Sequence, residues 1–285
     1  MSAPSVLIAG CGDIGGRLAS QLVAEHWQVH GLRRTVSSLP AGVIGVAGDL
    51  FSEQCPADWP AGSLDYLVYS AAATDHDEAG YRAAYVEGLQ HVLGWLKQHG
   101  QRPKRLLFVS SSSVYGQQQG EWVDETSPTV AGGYSGRLML EAEQVALDSG
   151  IPASRVRLTG IYGPGREWLL SQVRQGYSVV EDPPLYANRI HADDAAGLLA
   201  FLLEADRQGK ALEDCYIGVD DAPAALADVV GWLREYMGVT QWAENASVRR
   251  AGSKRCSNAR AKALGWTPRY PSFREGYAAI LEGRC

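Results

Sequence analysis

Apolar and polar positions alternate along the first half of the chain with two periods. Val6–Ala9 is a continuous apolar run, and Leu18, Leu22 and Val23 follow at helical spacing. The same pattern of short apolar run and amphipathic stretch continues through Gln28–Leu32, Val43–Gly45, Leu64–Ser70, a helix near Gly80–Gln98 and Arg105–Ser110. Runs without alternation, such as Leu106-Leu107-Phe108-Val109, mark strands covered on both faces. Strand and helix in strict succession predict βαβ units and a parallel sheet. The second half is less regular. Glycine and proline cluster at Gly160–Gly165 and at Asp182-Pro183-Pro184, and Pro223–Met237 and Phe273–Leu281 read as helices. These patterns predict an α/β doubly wound parallel sheet with a small, partly discontinuous C-terminal substrate lobe. The expected domain bounds are 1–163 for the nucleotide domain, rejoined by about 187–208, with 164–186 and 209–285 forming the lobe.

The first strand runs into Gly10-Cys11-Gly12-Asp13-Ile14-Gly15 and then into a helix, the order that a dinucleotide needs. Gly10 permits the tight turn, Gly12 lets the backbone approach a pyrophosphate, and Gly15 lets helix and strand pack closely. The leading amides of the helix, from Asp13 and Ile14 onward, attract the phosphates. Cys11 lies within this turn, where it serves as a small packing residue or as a thiol activated by the helix dipole. At the end of the second strand stand Arg33 and Arg34, where enzymes using NAD carry an acid. A guanidinium pairs bidentately with a 2′-phosphate that a carboxylate would repel, so the expected cofactor is NADP(H) in preference to NAD(H).

Composition narrows the functional classes. The chain has 285 residues, a formal net charge of −6, 46% hydrophobic and 20% charged residues, which suits one large α/β domain plus an appendage. No basic face is available for nucleic acid. The N-terminus lacks a basic region and its apolar run ends in the glycine turn, so no signal peptide is expected. The longest apolar run, 195–203, is far shorter than the about 20 residues of a membrane span. Five cysteines without regular spacing suggest neither a disulfide framework nor zinc, and a reduced cytoplasmic setting. Asp75-His76-Asp77-Glu78 holds ligand-type residues, but contiguous ones do not readily converge on an ion, and they read as a solvated loop. No metal is expected.

Chemistry points to the serines at 110–113 after the buried strand and to Tyr134-Ser135-Gly136-Arg137 at the start of a helix. Ionising a phenol at pH 7 costs about 4 kcal/mol, and a cation one helical turn away supplies part of it. Tyr134 and Arg137 thus form a candidate proton-transfer pair, with a serine hydroxyl on the substrate oxygen. Trp168, Trp232, Trp242 and Trp266 are expected mostly in the core, Trp168 being the best candidate for a pocket wall. Glu121, Asp124 and Glu125 read as an exposed turn, and His191 with Asp193-Asp194 as a structural hinge.

With the Rossmann-type glycine turn come Gly48-Asp49-Leu50, Tyr69-Ser70-Ala71-Ala72, Ser111–Gly116, Arg157–Gly165, Arg189–Asp194 and Leu264-Gly265-Trp266-Thr267-Pro268. In this order they resemble the extended short-chain dehydrogenases/reductases of the NAD-dependent epimerase/dehydratase type, over nearly the whole chain. The resemblance implies that Ser111 is the catalytic hydroxyl and Tyr134 the acid/base. It implies that Asp49, Leu50, Ala71 and Ala72 meet the adenosine and central part of the cofactor. Leu158, Thr159 and Ile161 would line the nicotinamide pocket. It also implies a homodimer through helices near 80–98 and 135–147. This chain differs from the pattern: position 138 is leucine where the family has lysine, and the cation is Arg137. The glycine turn has the shorter form, and the stretch between Gly165 and Ile190 is short for a nucleotide-sugar enzyme. Three functions follow. The first is an NADP(H)-dependent oxidoreductase or epimerase on a small hydroxyl- or carbonyl-bearing substrate. The second is an NADP(H)-binding sensor or regulator with impaired catalysis, and the third a nucleotide-sugar epimerase/dehydratase.

Overall fold

The computed structural model describes residues 3–179, 181–243 and 253–285. In chain order the elements are β1 Ser5–Ala9, α1 Asp13–Ala24, β2 Gln28–Arg33, β3 Ile44–Ala47, β4 Tyr66–Tyr69, α2 Glu78–Tyr81 and, after a π-helical turn Arg82–Glu87, α3 Gly88–Gln98. Then follow β5 Arg105–Ser111, β6 Glu121–Val123, α4 Tyr134–Leu147, β7 Ala153–Leu158, β8 Gly160–Tyr162 and α5 Trp168–Arg174. The chain closes with β9 Arg189–His191, α6 Ala192–Arg207, β10 Cys215–Gly218, α7 Leu226–Met237, β11 Lys254–Cys256, α8 Ala259–Leu264 and α9 Phe273–Leu281.

Seven strands make one sheet in the order β10-β7-β5-β4-β1-β2-β3. β1 is an inner strand, parallel to β2 (Ala9 beside Leu32) on one side and to β4 (Ala9 beside Tyr69) on the other. The doubly wound parallel sheet expected from the alternating pattern is therefore present. Leu7, Ile8, Leu67, Val68, Leu106, Leu107 and Phe108 are fully buried, which explains why these strands read as unbroken apolar runs. The predicted strand starts drift by a few residues: the apolar run from Leu64 becomes a strand only at Tyr66, because Asp65 is occupied in accepting Ser5 N at 2.9 Å.

The described chain divides into two compact units. The first comprises 1–114, 130–157 and 196–216; the second comprises 115–129, 158–195 and 217–285. The first unit carries the sheet and α1 to α4. The second has its own core, in which Leu169, Leu170 and Val173 of α5 pack with Leu226, Val229 and Leu233 of α7 and with Phe273 and Tyr277 of α9. Tyr162 belongs to the same core and its hydroxyl lies against Gly276, where a Cβ would overlap it. Two short parallel pairs, β8 with β9 and β6 with β11, complete the second unit.

A buried polar knot joins β5, α4 and β7 in the first unit. Arg157 Nε and Nη2 donate to the two carboxylate oxygens of Glu143 at 2.8 and 2.7 Å, and Ser110 Oγ donates to Glu143 Oε1 at 2.6 Å. Glu143 and Arg157 are nearly inaccessible to solvent. The pair is bidentate and further hydrogen-bonded, the geometry in which a buried charge pair is tolerated. Glu143→Leu strands the Arg157 charge in the interior and is expected to cost about 3–5 kcal/mol in urea denaturation. Replacing Arg157 by leucine as well should restore most of the loss. A single-variant cost under about 1 kcal/mol would contradict this account of the knot.

Candidate functional site

The glycine turn is built by backbone contacts. Gly10 has φ +86°, and a Cβ there would stand 2.6 Å from the backbone of Ala71, so glycine is required on two counts. A Cβ on Gly15 would lie 2.8 Å from the carbonyl oxygen of Gly10, which makes this the close helix–strand contact. Gly12 differs: the only atom within 4.0 Å of its Cβ position is the Gly10 carbonyl oxygen, so that side of the turn opens to free space. Gly10 N and Cys11 N both donate to Leu32 O, at 3.1 and 3.0 Å, and hold the turn against the end of β2. Behind it α1 begins at Asp13 with no side-chain cap on its leading amides. Tight packing at Gly10 and Gly15, space at Gly12 and an uncapped helix start fit a pyrophosphate.

Arg33 is the last residue of β2 and half-buried, and Arg34 follows it, exposed. The Arg33 charge acts on Cys11, so it is felt at the turn. Cys11 itself is fully buried, and burial pushes its thiol up to about 11. Of the two readings for Cys11, packing stands: the thiol is neutral at physiological pH and shielded. Asp49 Oδ1 accepts Phe51 N at 3.1 Å, and Leu50 O contacts His91 Nδ1 at 2.8 Å, which fixes the turn after β3. Ala71 and Ala72 follow β4, and Ala71 is the residue that backs Gly10.

Ser111 ends β5, and its Oγ accepts Ser113 N at 3.2 Å. Gly136 brings α4 against this turn, since a Cβ there would be 2.6 Å from Ser113 O. Tyr134 is the first residue of α4; its hydroxyl donates to His76 O at 2.5 Å and its ring meets Tyr81 edge-on at 5.5 Å. Arg137 Nη2 lies 3.3 Å from Glu78 Oε1, a pair exposed on both sides and so worth about 0–1 kcal/mol. Thus the segment 76–78, expected to be a solvated loop, supplies partners to both members of the Tyr134–Arg137 pair. Asp77 caps α2 by accepting Gly80 N at 2.7 Å. No group of three His, Cys, Asp or Glu side chains suited to a metal occurs among the described residues.

Leu158, Thr159 and Ile161 belong to the second unit. Leu158 is buried at the end of β7, and Thr159 gives both its N and Oγ1 to Gly218 O at 3.0 Å. Ile161 is half-buried in β8. Asp194 accepts Arg269 N and Tyr270 N at 2.6 and 3.0 Å, and the His191 ring packs on Tyr270 at 4.1 Å.

Two expectations are corrected. Glu125 is no exposed turn residue: its Oε1 accepts Ile217 N at 2.9 Å, and burial raises its carboxyl above the usual range. Trp242 is not core: it is 64% exposed and stacked on the Arg234 guanidinium at 3.4 Å. Trp168, the candidate pocket wall, is 60% exposed and edge-on to Tyr177. Trp266 is buried as expected. The Ser110–Glu143–Arg157 knot was not anticipated, although an arginine inside an apolar strand such as Ser154-Arg155-Val156-Arg157-Leu158 signals a buried partner.

The sheet, the open glycine cradle and the hydroxyls beyond the strand ends define a dinucleotide-binding α/β protein. The chain belongs to the NAD-dependent epimerase/dehydratase family, whose model matches residues 6–218, from β1 to the end of β10. It is 30% identical to protein YeeZ of Escherichia coli strain K12 over 216 residues, 74% of this chain and 77% of that one. It is 26% identical over a 308-residue alignment to the 3-diazoavenalumate denitrifying reductase of a Streptomyces species, covering 95% of this chain and 98% of that one. A structure assigned to the NAD-dependent epimerases/dehydratases from Methylobacillus flagellatus superposes with a TM-score of 0.80 at 35% identity, covering 99% of each chain. By descent the chain is thus an NAD(P)-dependent enzyme of the epimerase/dehydratase or reductase type.

Burial raises two carboxyls of the second unit, Asp194 to about 6 and Asp220 to about 7. A raised carboxyl pKa means that the folded state disfavours the ionised form. At pH below the ordinary value of 3.8 both states are protonated and nothing is lost. Stability then falls as pH rises toward about 7, where the penalty from Asp220 is complete. Asp220→Asn, which keeps an acceptor for Ala222 N, is expected to raise the urea midpoint more at pH 8 than at pH 4. An equal effect at both pH values would exclude a buried, hard-to-ionise Asp220.

Proposed function

We propose that the protein is an NADP(H)-dependent oxidoreductase or epimerase acting on a small hydroxyl- or carbonyl-bearing substrate. The observation that carries the cofactor choice is Arg33, which ends β2 and places positive charge at the glycine turn. A guanidinium there favours a 2′-phosphate over a 2′-hydroxyl. Gly10, Gly12 and Gly15, with the leading amides at Asp13 and Ile14, would hold the pyrophosphate; Asp49, Leu50, Ala71 and Ala72 would border the adenosine and central part. Leu158, Thr159 and Ile161 would line the nicotinamide. Bound there, the cofactor supplies or accepts a hydride.

Ser111 would donate a hydrogen bond to the substrate oxygen, and Tyr134 would exchange a proton with it through its phenolic oxygen. Ser111 stands two residues before Ser113, and Tyr134 two before Gly136, the residues at which the turn after β5 meets α4. Arg137 would favour the phenolate once released from Glu78, and at 62% side-chain exposure it moves at little cost. The short stretch between Gly165 and Ile190 favours a small substrate over a nucleotide sugar. The setting we propose is cytoplasmic, and a homodimer through α2–α3 and α4 is the assembly to look for.

A second reading has its own observation. The Tyr134 hydroxyl donates to His76 O and Arg137 is paired with Glu78, so in the resting arrangement each member of the Tyr134–Arg137 pair is engaged with a different partner. A cofactor-binding sensor with little turnover would look like this. Titration with both cofactors, followed by turnover on sugars, aldehydes and ketones, separates the readings. NADPH is expected to bind at least about tenfold more tightly than NADH, with Arg33→Asp abolishing the preference. Tyr134→Phe should lower turnover about 100-fold or more without changing NADPH affinity. Equal binding of both cofactors would remove the NADP assignment. Tight NADPH binding with no turnover on any substrate would favour the sensor. Full activity in Tyr134→Phe would refute the role given to this tyrosine.

A further inference from the structure

The second unit contains a cavity of about 830 Å³ that the proposed reaction does not use. Its walls come from Trp122 on β6, Arg255 on β11, Tyr186 and Pro184, the start of α7 and the start of α9. The volume lies within the about 300–1,000 Å³ of small-molecule sites. Strand alternation separates this cavity from the Val114-Tyr115-Gly116 segment. Lys254 Nζ donates to Tyr115 O at 3.1 Å, while the next residue along β11, Arg255, faces the other side.

Arg255 is held as a recognition group. Its Nε donates to Gly120 O at 2.8 Å, and its guanidinium carbon lies 4.8 Å from the Tyr186 ring centroid and 5.1 Å from that of Trp122. Gly120 has φ +79°, and a Cβ there would come within 3.0 Å of the Tyr186 ring, so the close fit needs glycine. Gly120 N donates to Ser253 O at 2.7 Å, and Ser253 Oγ bridges Pro184 O and Tyr186 N at 3.0 Å each. Aromatic neighbours orient the guanidinium without neutralising it, and among the described residues no carboxylate forms an ion pair with it. The two Nη groups therefore keep their capacity for a bidentate acceptor. Beside them the Trp122 ring is 57% exposed, a flat apolar face at the edge of the cavity.

The remaining charges limit the ligand. Arg274, stacked on Phe273 at 4.6 Å, adds a second cation, and Glu181 and Asp228 add two anions to the same cavity. The wall is balanced overall, which disfavours a polyphosphate and suits a molecule with one negative group and an apolar body.

We propose that this cavity binds a small aromatic carboxylate, its carboxylate on the Arg255 fork and its ring on Trp122. The site is independent of the cofactor assignment and is tested without turnover. Indole-3-carboxylate is titrated into the full chain and followed by calorimetry and tryptophan fluorescence. Saturable binding with Kd below about 1 mM is expected, with indole itself at least about tenfold weaker. Arg255→Gln and Trp122→Ala should each weaken the probe about tenfold or more while leaving NADPH affinity within about twofold of wild type. Arg255→Lys, which keeps charge but loses the fork, should fall between. Absence of saturation by about 5 mM, equal affinity for indole, or wild-type affinity in Trp122→Ala would each overturn the proposal. So would tighter binding of uridine diphosphate than of indole-3-carboxylate that Arg255→Gln abolishes. Should Arg255→Gln fail to fold, Trp122→Ala and the indole comparison decide alone.

Discussion

The backbone-to-backbone approach of Gly10 and Ala71 is the constraint on which the nucleotide end depends. β1 is an inner strand flanked by β2 and β4, and the chain leaving it must turn sharply between their ends. Only a residue with positive φ and no Cβ makes that turn at 2.6 Å from Ala71. The turn then fixes where α1 begins, how near it lies to the strand at Gly15, and that the space beside Gly12 stays open. Its amides at Gly10 and Cys11 also hold Leu32 O near the end of β2, while Gly10 packs on Ala71 after β4. A single side chain at position 10 would disturb all of these together.

The first unit distributes interaction strength unevenly. Where scaffold is needed, charges are buried and saturated: Glu143 receives Arg157 through two bonds and Ser110 through a third. Where chemistry is proposed, the contacts are exposed, as in Arg137 with Glu78, or rest on a single bond, as in Tyr134 with His76. The knot ties β5, at Ser110 beside Ser111, to β7 and to α4, the helix that Tyr134 begins. The exposed groups are free to change partners at low cost. A rigid base with loosely engaged functional groups is what a proton-transfer step needs.

Much of the fold was legible because its signals are local. The apolar runs of β1, β4 and β5, the glycine spacing and the amphipathic helices follow from neighbours within a few residues. Arg33 was legible too, since its place at the end of β2 follows from strand length alone. What escaped depends on contacts between distant residues. Glu125 looks like a turn acid until Ile217, 92 positions away, donates to it. His76 meets Tyr134 across 58 positions, and Arg255 meets Gly120 across 135. Exposure of Trp168 and Trp242 likewise depends on which faces of the second unit's core are already filled by α7 and α9. Residue type suggests burial for such positions, and only the packing decides it.

The proposed NADP site joins the glycine turn to Arg33. A crystal structure of the protein with NADPH tests this most directly. The pyrophosphate is expected beside Gly12 at the start of α1 and the 2′-phosphate in a bidentate pair with the Arg33 guanidinium. A 2′-phosphate left in solvent away from Arg33, or a pyrophosphate bound elsewhere than at Gly12, would contradict it.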